Sequence, residues 1–133
     1  MEAQQTRIAK TCLDAAYAGS TAFPAIVATL IEAGFEGYVV DYRRHSTTYF
    51  LPDGDSVLLD NPTSEGSVAA GFDAAGVAAR VKRAQDNPPD YSYAPFCENL
   101  KASGCAGYMV SFPGRRALYV GRTAETHVEH FTR

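Results

Sequence analysis

The chain has 133 residues, 46% apolar and 20% charged, a length at which a single domain over 1–133 buries roughly two-thirds of its unfolded surface; long disordered tracts are excluded. The net charge of −3 argues against nucleic acid and against anionic membrane surfaces as partners, because both reward concentrated positive charge. The most apolar stretch, 22–40, is broken by Pro24, Glu32, Gly34, Glu36 and Gly37, so no membrane span is expected, and the start Met1-Glu2-Ala3-Gln4-Gln5 lacks the features of an export signal, which makes the expected setting cytoplasmic.

Ile8, Cys12, Leu13 and Ala16 fall at helical spacing within 5–17, and Gly19 stops that first helix. Pro24 suits the first turn of a second helix, where its missing N–H costs nothing. Phe23, Ile26, Val27, Leu30 and Ile31 give this helix one apolar stripe, and Gly34 ends it. After Gly37 the period changes to two, with Tyr38, Val40 and Tyr42 on one face of a strand and Val39, Asp41 and Arg43 on the other. Thr47 to Leu51 and Val57 to Leu59, separated by the turn Pro52-Asp53-Gly54, complete a three-stranded meander. Asn61 to Gly66 reads as a link. A third helix is predicted from Ser67, as N-cap, to Gln85, with Val68, Phe72, Ala75 and Ala79 along its stripe, before Asn87-Pro88-Pro89 terminates it. Ser92 caps a fourth helix over Phe96 to Ala102, which Gly104 stops. Strands follow over Gly107 to Phe112, Ala117 to Val120 and Ala124 to His130, with Pro113-Gly114 in the first hairpin turn.

The chain also resembles itself. A shift of seventy positions lays Leu30, Gly34, Gly37, Tyr38, Val40 and Tyr49 on Leu100, Gly104, Gly107, Tyr108, Val110 and Tyr119 without a gap. The expectation is an α+β fold built by internal duplication of a helix-helix-three-strand unit, about 1–66 and 67–133. The halves would share one core around an approximate two-fold axis, as a six-stranded, mainly antiparallel sheet with helices on one face. The three cysteines have no zinc or redox spacing. Cys97 and Cys105 align with Val27 and Phe35 and so read as buried, reduced thiols, whereas Cys12 aligns with Lys82 and is left open.

Chemistry-bearing residues depart most from the self-alignment near the carboxyl end, where Arg115, Arg116, Arg122, Glu125, His127, Glu129 and His130 crowd into sixteen positions. If that segment is extended, Glu125, His127 and Glu129 point to one side and His130 to the other; if it is helical, His127 and His130 share a face. His127 with Glu125 or Glu129 has the donor types of a metal half-site or of an acid/base pair, with His127, Glu129 and His130 as the metal candidates. The string lacks zincin spacing, and ion pairs on a solvated strand explain it equally, so no metal is predicted. Arg43-Arg44 and Arg115-Arg116 flank the first hairpin of each half, and a two-fold axis that brought the four guanidinium groups together would create a fork for carboxylate or phosphate. Exposed hairpin tips account for them as well. Asp53, Gly54 and Asp55 lack the further oxygen donors of a calcium loop. No glycine-rich phosphate loop follows a strand, no serine stands in a nucleophile elbow, and no cofactor is implied.

The motifs Gly34-Phe35-Glu36-Gly37-Tyr38, Tyr49-Phe50-Leu51-Pro52-Asp53-Gly54, Gly104-Cys105-Ala106-Gly107-Tyr108 and Gly114-Arg115-Arg116, with the closing string from Gly121 to Phe131, span almost the whole chain. They resemble a family of small bacterial proteins of unknown function whose members often carry the name phage envelope protein. The resemblance implies no reaction and assigns no catalytic residue. The leading expectation is a non-enzymatic binding or regulatory domain, open to a homodimeric arrangement. It would use the groove between the halves for a small anionic ligand or a protein partner, with Arg43, Arg44, Arg115, Arg116, Arg122, Glu125 and His127 as ligand-binding candidates. The alternatives are a small metal-dependent or acid/base enzyme built on the Glu/His cluster, and a phage-related structural or interaction protein.

Overall fold

In the computed structural model, which describes residues 1–62 and 65–131, the local signals resolve into the helices α1 (Ala3–Ala18), α2 (Phe23–Glu32), α3 (Ala74–Asp86) and α4 (Tyr93–Ala102). The strands are β1 (Gly37–Asp41), β2 (Ser46–Phe50), β3 (Ser56–Asp60), β4 (Cys105–Ser111), β5 (Arg116–Gly121) and β6 (Thr126–His130). All six join one antiparallel sheet in the order β3-β2-β1-β4-β5-β6. The fold is therefore α+β, as expected, and no described helix is long and apolar enough to cross a membrane.

Both halves run helix, helix, then a three-stranded meander, and their hydrogen bonds recur at the seventy-residue offset. Gly19, Gly34 and Gly104 all take positive φ where the preceding helix stops. The Asn61 N–H donates to the His45 carbonyl, and the Phe131 N–H to that of Arg115, both at 2.8 Å. In the centre the β1–β4 register sets Val39 opposite Met109, with Gly37 opposite Ser111 and Asp41 opposite Gly107. The Tyr42 N–H donates to Ala106 and the Phe112 N–H to Glu36, each at 2.9 Å, closing the two ends of this ladder alike.

One expectation fails at α3. The predicted start at Ser67 is moved to Ala74, with Asp73 as the N-cap whose side chain accepts the Gly76 N–H at 3.0 Å. The residues before it are claimed by tertiary bonds: the Ala69 N–H donates to the Lys101 carbonyl and the Asp73 N–H to that of Ser103, fixing this segment against the end of α4. Val68 and Phe72 thus pack inward from non-helical backbone. Of the predicted link from Asn61 to Gly66, Thr63 and Ser64 lie outside the described residues.

One face of the sheet and the inner faces of the helices form a common core. Tyr38, Val40, Tyr49, Tyr108, Val110 and Tyr119 from the strands meet Ala9, Ile26, Leu30, Val77, Phe96 and Leu100 from the helices. A row of rings crosses the seam, with centroid separations of 5.6 Å for Tyr49 and Tyr38, 6.2 Å for Tyr38 and Tyr108, and 4.9 Å for Tyr108 and Tyr119. Burial is inexpensive only for polar atoms that find partners. The Tyr93 and Tyr108 hydroxyls meet at 2.5 Å, and the Tyr17 hydroxyl lies 3.9 Å from the Cys97 thiol. The Tyr42 hydroxyl is buried toward that same thiol without a hydrogen-bond partner. Cys12, Cys97 and Cys105 are all free and buried, so the reading of the last two as core thiols holds and extends to Cys12.

Candidate functional site

The strand directions decide where the arginines go. Since β1 and β4 are antiparallel, the β1–β2 turn with Arg43 and Arg44 and the β4–β5 turn with Arg115 and Arg116 lie at opposite ends of the sheet, separated by on the order of 15 Å of strand. The expected meeting of four guanidinium groups does not occur. All four are exposed, and each turn is held by its own side-chain acceptor instead. Asp41 Oδ1 accepts the N–H groups of Arg43 and Arg44 at 3.0 Å, and Ser111 Oγ accepts that of Gly114 at 2.9 Å. Arg122 reaches elsewhere, donating from Nη1 to the Val68 carbonyl at 3.3 Å and tying the β5–β6 turn to the segment before α3.

The Glu/His cluster divides in the same way. The segment is extended in β6, which sends His127 and Glu129 to the helix-covered side and His130 to the other face. His127 Nε2 and Glu129 Oε1 are 3.0 Å apart and half-buried, with the imidazole 6.3 Å from the Tyr119 ring. Glu125 stays in the preceding turn, where the Thr123 hydroxyl donates to its carboxylate and holds its pKa below the ordinary value. Among the described residues no group of three or more His, Cys, Asp or Glu side chains is arranged to hold a metal ion. The half-site thus has at most two donors on one side of an edge strand, fewer than the three protein ligands of a catalytic zinc.

Burial also removes the thiols from chemistry. Desolvation raises the pKa of Cys12, of Cys97 and of Cys105, the last to about 11, so each is held as an inert thiol. A broad hollow of about 610 Å³ runs along α3 beside Lys82, Arg83 and Asp86. Its charges are already matched, Lys82 with Asp86 at 3.4 Å and Arg83 with Asp90 at 2.7 Å.

What remains is the face of the sheet that carries no helix. Through the registers, Leu58, Thr48, Val39, Met109, Leu118 and Val128 line up side by side across all six strands and point away from the core. An antiparallel sheet solvated on one side ordinarily alternates apolar inward and polar outward. Here five of the six residues in the outward row are apolar. Met109 is 48% exposed, Leu58 45% and Val128 41%, so the row lies open. A hollow of about 210 Å³ sits at its centre over the β1–β4 seam, between Val39, Asp41, Arg43, Met109, Leu118 and Val120. Apolar side chains rather than converging arginines make up most of the lining of this hollow. Its signal was in the sequence: Val39, Met109 and Leu118 are apolar at strand positions whose neighbours already fill the core. No protein-family model and no curated protein matches the chain.

Proposed function

We propose that this protein is a non-enzymatic binding domain that works through the helix-free face of its sheet, and that its partner is a protein surface rather than a small anion. The apolar row from Leu58 to Val128 carries this reading. Apolar surface gains roughly 25 cal/mol for each Å² removed from water, and a contiguous outward patch is a standing reason to associate. The anionic-ligand reading loses its main support once the two arginine pairs lie at opposite ends of the sheet, since neither pair faces a groove with the other. The enzymatic reading loses support because no group of three or more His, Cys, Asp or Glu side chains is arranged to hold a metal among the described residues, and the three thiols are buried. Three reduced, buried thiols accord with a cytoplasmic setting. We place the chain with the small bacterial proteins it resembles as an interaction protein.

A photo-reactive benzoylphenylalanine in place of Met109 tests the reading in cells that make the protein. Irradiation should give a covalent protein adduct at position 109 and none from the same label at Arg7, on the exposed side of α1. An unlabelled position 109 would refute a protein-docking face.

A further inference from the structure

We infer that the chain forms a homodimer through the free edge of β6, two copies pairing antiparallel about a two-fold axis at Val128. The contact lies on the rim of the sheet, so it stands or falls separately from the docking role of the open face.

Backbone phase decides which groups face the rim. At the two ends of the β5–β6 ladder the Gly121 N–H donates to the Glu125 carbonyl and the Phe131 N–H to that of Arg115, both at 2.8 Å. Bonded and non-bonded pairs alternate in an antiparallel ladder, so His127 and Glu129 also turn their amides and carbonyls toward β5. Thr126, Val128 and His130 turn theirs outward, where no other described strand takes them up. The strand has no proline or lysine, and no bulge interrupts its pairing with β5. Of the devices that blunt an edge it keeps one, ionisable side chains on the inward face, and their arrangement admits its own copy.

Register follows from those side chains. Bonding through the outward groups requires that Thr126, Val128 and His130 oppose one another. Centred on Val128, the pairing sets Val128 against Val128 and Thr126 against His130, which gives about six backbone hydrogen bonds from three pairs that exchange two each. It also sets His127 beside Glu129 of the second copy in a non-bonded pair, where side chains approach most closely. A shift of two residues opposes His127 to itself in one direction and Glu129 to itself in the other. Like groups directly opposed destabilise a strand pair and opposite ones support it. An imidazole beside a carboxylate donates a hydrogen bond when neutral and adds opposite charge when protonated. His127 and Glu129, 3.0 Å apart and half-buried within one chain, thus become a ring of four across the axis.

The opposite rim lacks this selectivity. β3 has the same backbone phase, with the Asn61 N–H bonded to His45 and the Leu51 N–H to Asp55. There Val57 and Leu59 occupy the places of His127 and Glu129, and Asp60 is the one titratable residue of the strand. An isologous pairing must be complementary to itself, and β6 meets that condition with two equivalent His127–Glu129 contacts. The union makes one sheet of two six-stranded ones, and Val128 beside Val128 carries the apolar row across the axis.

Five residues of edge make a small interface, at the weak end of specific contacts. The test is therefore sedimentation of the purified full chain from about 10 to about 500 µM, a range that brackets a dissociation constant near ~100 µM. The mass should rise with concentration from 14.3 kDa toward twice that value. Val128→Pro removes an N–H that faces the rim and none of the bonds to β5, so it should abolish association and keep the far-ultraviolet spectrum. Val128→Cys should form an interchain disulfide under mild oxidation, because bonded pairs lie about 5.5 Å apart at Cα, within disulfide reach. Leu58→Cys, on the other rim, should not, and the native thiols are buried. His127→Glu and Glu129→Lys should each weaken the dimer by about tenfold, and the two together should restore it. A mass fixed at 14.3 kDa across the range overturns the inference. So does a dimer indifferent to Val128→Pro, a disulfide at position 58 instead of 128, or a double variant no better than its parents. Should Val128→Pro fail to fold, the disulfide and the charge exchange decide the question.

Discussion

Gly37 and Gly107 occupy mirrored places in the central ladder: a Cβ on Gly37 would lie 2.3 Å from the Val110 carbonyl oxygen, and one on Gly107 would lie 2.3 Å from that of Val40. Among the described residues, the β1–β4 pairing is the backbone ladder that joins the halves, and it closes because both side chains are missing. Each alanine substitution should therefore force β1 and β4 apart and cost about 2–3 kcal/mol, in the range of overpacked interiors. Urea denaturation of Gly37→Ala and Gly107→Ala measures this. Nearly equal losses are expected, and a cost below about 0.5 kcal/mol at either position would show a looser seam than described.

The tyrosine hydroxyls should behave oppositely according to whether they have partners. Tyr108→Phe removes one member of the 2.5 Å pair and leaves the buried Tyr93 hydroxyl unsatisfied, which should cost about 1–3 kcal/mol. Tyr42→Phe deletes a buried hydroxyl that has no hydrogen bond, and its stability should match or exceed the wild type. Paired chemical denaturation curves separate the two variants.

Alkaline stability follows from the same core. All eight tyrosines have their pKa raised, in each case mainly by burial. Burial also lifts Cys105 to about 11. The folded state holds these protons above the pH at which the unfolded chain releases them. The resulting stabilisation is complete below roughly pH 7.5, where thiols and phenols are protonated in both states, and declines as pH rises beyond it, first through the thiols and then through the phenols. Ultraviolet titration should show phenolate absorbance appearing together in one cooperative step that coincides with loss of circular dichroism. Independent tyrosine titration before unfolding would contradict the buried placement.

The outward row makes a contrasting prediction for the monomer. Leu58→Ser and Val128→Ser should change intrinsic stability by no more than about 0.5 kcal/mol, as exposed positions do. Leu30→Ala and Leu100→Ala, both fully buried, should each lose about 2–5 kcal/mol. Calorimetry at dilutions that dissociate any dimer provides the comparison.

Much of the fold was legible because the relevant signals are local. Gly19, Gly34 and Gly104 marked helix ends, and the two-residue period of Tyr38, Val40 and Tyr42 gave both the strand and its inward face. The start of α3 was not legible, because Ser67 is a good cap in isolation and only the carbonyls of Lys101 and Ser103 claim the backbone that follows. That the arginine pairs lie apart was not legible for a related reason, although their exposure at hairpin tips was. Their spacing along the chain is similar, but an antiparallel β1–β4 pairing turns one half end for end relative to the other. The open face was half-legible: Val39 was placed outward from its period, but only strand order reveals that Leu118, Met109, Val39 and Leu58 lie in a single line.

The sheet order puts β3 and β6, the last strand of each half, on the outer rims, and leaves β1 and β4 to hold the halves together. Each half thus keeps its three strands contiguous in the sheet, with a single β1–β4 pairing between the halves among the described residues. Complementary fragments corresponding to 1–62 and 65–133 should consequently recognise each other when mixed, as two pieces of one interrupted sheet.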